Sequence, residues 1–277
     1  KTGARDVHPT RNDMTARLPA ATPFRAVLRR ELLDALINRY FQVFAVLAVL
    51  AGFAASAFSE EENAASFFIM QMALYLVTLF AVLSGVSSAQ AEREEWPLMF
   101  TQPVPRSAYV LGKFIAYLAI FGVVLALMFI PALVSGGATK QLLALYLQTT
   151  ALAAACIGLG LAAGFLARDR ARAVIAGTSA WLLLLFGIDA LALLGARWSF
   201  VQRVPDLWVG LLMLNPFDAF RIQALFGLEQ VPAEAANKTA LASWWITHAS
   251  GWFVFVAAGW CAALIAFAGY RLQRWED

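Results

Sequence analysis

Six apolar runs, each close to twenty residues, leave this chain few ways to fold. They cover residues 41–58, 64–88, 109–134, 141–167, 173–195 and 250–270. A helix needs about 20 apolar residues to cross the hydrocarbon of a bilayer. The runs predict an all-α membrane protein with six transmembrane helices. Composition agrees: 61% of the residues are hydrophobic and 14% are charged, against about 25% charged in soluble domains. A soluble globular domain is excluded. The net charge of +3 supports no basic patch for nucleic acid, so membrane lipid is the expected surrounding and nucleic acid is not a partner.

Orientation follows the distribution of Lys and Arg. With both termini cytoplasmic, the inner segments hold Arg25, Arg29, Arg30, Arg39, Arg93, Arg106, Lys113, Arg168, Arg170, Arg172, Arg271 and Arg274. The outer segments hold Lys140, Arg197, Arg203, Arg221 and Lys238, and the first of them carries Glu60, Glu61 and Glu62 with no basic residue. A multi-pass membrane protein with both ends cytoplasmic is expected. Trp198, Trp208, Trp244, Trp245 and Trp252 then fall near the outer interface, where amphipathic rings settle. Residues 1–23 are polar, carry Pro9, Pro19 and Pro23 and lack a signal-peptide core. They are expected to form a flexible tail, with Met14 a candidate start, ahead of a membrane domain over 24–277.

Residues 24–40 read FRAVLRRELLDALINRY. Leu28, Leu32 and Leu36 share one side, and Arg30, Asp34 and Asn38 another, with Glu31 beside them. This predicts an amphipathic helix along the inner membrane surface. No Gly or Pro separates it from the first run, so a plain extension of that span is the alternative.

The segment between the second and third runs reads AQAEREEWPLMFTQPVPRSAYVLGK. A charged cluster, Glu92, Arg93, Glu94 and Glu95, precedes an apolar patch holding Trp96, Leu98 and Phe100. Pro103 and Pro105 then stop any helix from running through. Ser107 is placed to cap the third span, with Arg106 beside it and Lys113 near its inner end. Apolar residues rimmed by charge suggest a docking surface for another protein; a loop tucked against its own bundle is the alternative.

The order of amphipathic helix, two spans, ERE cluster, apolar patch, Q-P-V-x-R and L-G-K resembles the membrane subunit of type-2 ABC exporters. The resemblance implies that residues 24–40 are the elbow helix. It further implies that the segment from Glu92 to Lys113 forms a cytoplasmic coupling helix seated in a cleft of the ATPase subunit. Glu92, Arg93, Glu94, Trp96, Leu98, Phe100, Pro103 and Arg106 become the expected coupling residues. Where that family commonly has Gly-Thr after the cluster, this chain has Trp96-Pro97. Gly112-Lys113 is followed by Phe114, so no phosphate-binding G-x-x-x-x-G-K-[ST] loop is present. This chain is expected to be non-catalytic and to bind no cofactor, with ATP and Mg on a partner ATPase.

Between the last two runs, PDLWVGLLMLNPFDAFRIQALFG carries a complete helix signature. Asn215 can cap, Pro216 suits the first position, Asp218 sits in the first turn and Gly227 can end it. Asp218 and Arg221 are spaced to pair. About eleven residues give about 16 Å, too short to span a bilayer, so a short outer helix lying in or dipping into the interface is expected. The L-L-x-L-N-P-x-D-x-[FY]-R-[IL] pattern, here Leu211, Leu212, Leu214, Asn215, Pro216, Asp218, Phe220, Arg221 and Ile222, is similar to the NosY-type permeases that serve maturation of nitrous oxide reductase. RRELLDALINRY resembles the elbow of the same group, with Ile37 and Tyr40 where Arg and Trp are usual. The resemblance implies a homodimer, a NosF-like ATPase, and a NosD-like periplasmic partner touching Asn215, Phe217, Asp218 and Arg221.

Asp189 lies toward the outer end of the fifth run. An acid inside a span marks an interface or pathway, or else it reaches the headgroups or pairs with Arg197. Gly160-x-x-x-Gly164 allows close backbone approach, either inside one subunit or across a dimer. Cys156 and Cys261 lie apart in apolar runs and read as core residues. The methionines are scattered, so no copper path or other metal site converges in this chain. A general type-2 exporter of an apolar or amphipathic substrate is the competing reading. A membrane-embedded enzyme would need paired polar residues within the spans, and only Asp189 stands out.

Overall fold

A computed structural model describes residues 21–57, 64–93, 105–135, 139–195, 197–199, 203, 205–227 and 240–274. Among them no residue is in a strand. The helices are α1 (Ala21–Ile37), α2 (Arg39–Ser56), α3 (Ala64–Ala91), α4 (Arg106–Val134), α5 (Thr139–Leu166), α6 (Arg170–Gly195), α7 (Pro205–Leu212), α8 (Pro216–Gly227) and α9 (Ala240–Gln273). Six of them, α2 to α6 and α9, are long and apolar enough to cross a membrane.

The joint between α1 and α2 is made by Asn38, of a residue type that favours helix caps over helix interiors. Asn38 adopts φ −65°, ψ 120° and caps α2, its Oδ1 accepting from the Tyr40 backbone N–H at 3.0 Å. Its Nδ2 donates to Ser87 Oγ at 3.1 Å and Tyr117 Oη at 3.3 Å. An Asn side chain supplies what a broken helix loses, and here α3 and α4 reward the break. The segment is therefore a separate helix and not an extension of the first span. Glu31 also leaves the polar stripe read from the sequence: it is buried toward α4, whereas Leu36 and Ile37 are exposed.

The packing is organised around α5. In its apolar window 78% of residues are buried, against 17% in α6. It lies against α3, α4, α6, α8 and α9. The reason is the small-residue face. A Cβ on Gly160 would collide with the Val82 carbonyl, and one on Gly164 with Ala89. Gly85 of α3 answers from the other side, its Cβ position 2.6 Å from the Ile157 carbonyl. The Gly-x-x-x-Gly stretch is thus spent inside the subunit, on the α3–α5 contact.

Two spans contain a turn of π-helix, Ala73–Val77 in α3 and Leu183–Gly187 in α6. Such a turn accommodates one additional residue and disturbs the carbonyl ladder. In α3 the Leu74 carbonyl accepts from Thr78 Oγ1 at 2.5 Å, and Trp181 Nε1 of α6 donates to that same hydroxyl at 2.9 Å. The disturbed turn therefore doubles as the polar link between two apolar helices.

The expected Ser107 cap is corrected. α4 begins at Arg106 with Pro105 at its cap, so Ser107 sits inside the first turn and caps nothing. Pro105 has the extended ψ of 131° that an entry residue needs, and its carbonyl accepts from the N–H groups of Ala108 and Tyr109. His248 lies within α9 and stacks on Trp244 with ring centroids 4.8 Å apart.

Candidate functional site

At one end of the bundle, where α1, α4 and the C-terminus of α3 meet, charge from these three helices is gathered together. Lys113 of α4 has a side chain 1% exposed, the least accessible cation described. Its Nζ lies 2.6 Å from Glu31 Oε1 of α1 and 3.5 Å from Glu92 Oε2, just past α3. Glu92 also meets Arg30 Nη2 at 2.9 Å and accepts from Tyr109 Oη at 2.8 Å. Arg30 reaches Asp34 at 3.7 Å. Burial raises the Glu31 pKa above its ordinary value, and Lys113 opposes that shift. Partial neutralisation of this kind is what a low-dielectric site imposes on a carboxylate.

This cluster fixes the first residues of the segment between α3 and α4, and its neighbours fix the rest of both ends. Arg93 Nη1 donates to the Ala167 carbonyl at the end of α5. Gln90 Nε2 donates to the Gly164 carbonyl at 2.5 Å and the Ala167 carbonyl at 3.3 Å. On the far side, Arg106 Nη1 donates to the Gln273 carbonyl at 2.7 Å and the Leu272 carbonyl at 3.4 Å, at the end of α9. Helix C-termini present unsatisfied carbonyls and the negative end of the dipole, which guanidinium groups satisfy. The expected coupling residues Glu92, Arg93 and Arg106 are thus anchors into α1, α4, α5 and α9. Glu94, Trp96, Leu98, Phe100 and Pro103 lie outside the described residues.

A second polar cluster lies at the opposite end, where α8 meets α6. The helix signature read from the sequence is present: α8 starts at Pro216, and Asn215 Oδ1 accepts from the Phe217 N–H at 3.3 Å. Asn215 Nδ2 donates to Asp218 Oδ2 and to the Leu184 carbonyl, both at 2.7 Å. Leu184 belongs to the π turn of α6, so the cap of one helix also satisfies the irregular turn of another. Arg221 Nη1 joins Asp189 Oδ2 at 2.8 Å and Asp218 Oδ1 at 3.4 Å. Asp189 therefore pairs with Arg221, 32 residues away, rather than with Arg197. Two tryptophans of α9 complete the clamp: Trp252 Nε1 donates to the Met213 carbonyl at 2.8 Å, and Trp260 Nε1 to the Leu214 carbonyl at 2.9 Å. Trp252 carries a specific bond beyond its belt position, and Trp260 was not singled out by the sequence because a lone Trp in an apolar run has no visible partner.

Of the residues expected to touch a periplasmic partner, Asn215, Phe217 and Asp218 are buried and Arg221 is half-buried. Their contacts hold α8 to the bundle. Burial pushes the Asp218 carboxyl up to about 6, against the lowering by Asn215. An unfolded chain binds that proton with a pKa near about 3.9, so the folded protein holds it more tightly. Stability contributed here is present at low pH and is lost as pH rises from about 4 to about 6. Asp218→Asn is expected to flatten this part of the profile, read from melting temperatures in nanodiscs between pH 4 and pH 7; an unchanged slope would refute the assignment.

Comparison with known proteins agrees with this architecture. Residues 26–268 match the family model described as ABC-2 family transporter protein. A Pseudomonas aeruginosa protein described as "Probable ABC transporter permease protein NosY" is 29% identical over 277 residues, covering 90% of this chain and 97% of that protein. A Stutzerimonas stutzeri protein of the same description is 26% identical over 273 residues, covering 88% and 96%. The six spans, the two end clusters and a family match running almost from end to end lead to one conclusion: the chain belongs to the ABC-2 transporter family, as a membrane-spanning permease subunit of an ABC transporter.

Proposed function

We propose that this permease receives the stroke of a separate cytoplasmic ATPase through the segment between α3 and α4. The stroke is passed across the membrane to α7 and α8, in a NosY-like system for copper-site maturation of nitrous oxide reductase. The observation that supports it is the anchoring of both described ends of that segment. Glu92, Arg93 and Arg106 tie it to α1, α4, α5 and α9 through charged bonds. A displacement of either described end acts directly on those four helices. In this reading the clustered charge end is cytoplasmic, as the Lys and Arg distribution requires, and both termini lie on that side of the inner membrane. ATP and Mg belong to the NosF-like partner, and a NosD-like periplasmic protein meets the α7–α8 end. Two copies act together, since one chain offers one such segment. The apolar side chains that α6 leaves exposed, Leu182, Leu183, Phe186 and Leu194 among them, are suited to a neighbouring helix or lipid.

The test is a spin-label measurement on the reconstituted complex. A label at exposed Leu211 in each copy is expected to change separation on ATP addition. In Arg93→Ala/Arg106→Ala, the complex is expected to assemble and hydrolyse ATP while that change falls at least fivefold. Full movement in the double variant would sink the lever reading. So would labelling of a Thr101→Cys variant from outside intact cells.

A further inference from the structure

A cavity of about 810 Å³ opens beside the α1–α2 joint, within the size range of ligand pockets. Its wall includes Arg39 and Arg170, the first residues of two membrane-spanning helices, α2 and α6. It therefore lies at the level where spans enter the bilayer. Both arginines are exposed, and neither has a carboxylate partner among the described residues. Arg170 stands over the Tyr40 ring at 5.9 Å. The acids in the same wall are already engaged: Glu31 with Lys113, Asp34 with Arg30, and Glu92 with both cations. Among the described residues, the wall thus offers two guanidinium groups without a carboxylate partner and no carboxylate without a cation. Ile37 and Val43, 72% and 51% exposed, form an apolar lip beside them.

Guanidinium forks match phosphate oxygens. Basic pockets between spans at the membrane surface hold phospholipid headgroups. We propose that this cavity is a binding site for one membrane phospholipid, its phosphate held between Arg39 and Arg170 and its glycerol and chains leaving over Ile37 and Val43. Neither guanidinium takes part in the anchoring of the segment between α3 and α4, so the site stands whether or not that segment couples to an ATPase.

The test is native mass spectrometry of the full chain released from nanodiscs and titrated with phosphatidylglycerol. Wild type is expected to retain one lipid through detergent activation that strips the others. Arg39→Ala/Arg170→Ala is expected to bind it at least tenfold more weakly. Arg172→Ala, whose arginine instead pairs with Asp169 at 3.1 Å, is expected to match wild type. Val43→Trp fills the lip without removing charge and is expected to weaken the same lipid, which keeps the proposal testable if the double variant does not fold. Retention in the double variant equal to that of Arg172→Ala overturns the site, as does normal retention in Val43→Trp. Soluble glycerol phosphate displacing the lipid at equal concentration would show a free-phosphate site and overturn the lipid assignment.

Discussion

Lys113→Met is expected to lower the melting temperature of the protein in nanodiscs by roughly 10 °C and to cut the yield of folded material. The substitution keeps the aliphatic volume and removes the charge. It leaves Glu31, 3% exposed, facing no cation, and takes one of two cations from Glu92, 7% exposed. Removing one partner of a buried ion pair costs about 3–5 kcal/mol, and about 1 kcal/mol moves the midpoint of a chain this size by about 2–4 °C. The double variant Lys113→Met/Glu31→Gln is expected to recover most of the loss, because a neutral amide removes the stranded charge. A single variant as stable as wild type would mean that the cluster is hydrated and contributes little. Recovery by Glu31→Gln is the readout that distinguishes charge from packing.

Gly160→Ala is expected to do comparable damage with a single methyl group. The added carbon meets the Val82 carbonyl and the Gly85 backbone, and neither wall is a side chain that could rotate away. Overpacking costs about 1–3 kcal/mol where side chains can yield, and two helices must separate here instead. Gly85→Ala, whose methyl meets the Ile157 carbonyl at 2.6 Å, is expected to behave alike. Gly259→Ala, with nothing within 4 Å, is the control and is expected to stay within about 0.5 kcal/mol of wild type. Size-exclusion profiles and melting temperatures of the three variants decide the matter; equal behaviour of Gly160→Ala and Gly259→Ala would remove α5 from its central role.

What could be read from the sequence was local. Six spans follow from the lengths of apolar runs, and α8 from Asn215, Pro216, Asp218 and Gly227, because each signal sits within a few residues of its effect. The Gly160 spacing announced close approach but could not say to what, since the answer, Val82, is on another helix. What escaped was long-range polar pairing. Asn38 breaks a helix because Ser87 and Tyr117 reward it, and Asp189 finds Arg221 across an intervening stretch of chain. Lys113 looked like an ordinary cation near a span end; its burial depends on Glu31 and Glu92 arriving from two other helices. Both π turns were invisible, since Ala73–Val77 and Leu183–Gly187 have compositions that suit an α-helix equally well.

The π turn in α3 sets a phase boundary within a single rod. Below it, Ala81 and Val82 face inward; above it, so do Ile69 and Met70. The two inward stripes align only because one residue is inserted between them. Excising that residue would shorten the rod by about 1.5 Å but rotate everything above by about 100°, swinging Ile69 and Met70 toward the hydrocarbon. Chain length at this point is therefore an angular variable, and natural variants of this segment must conserve its residue count more strictly than its residue identities.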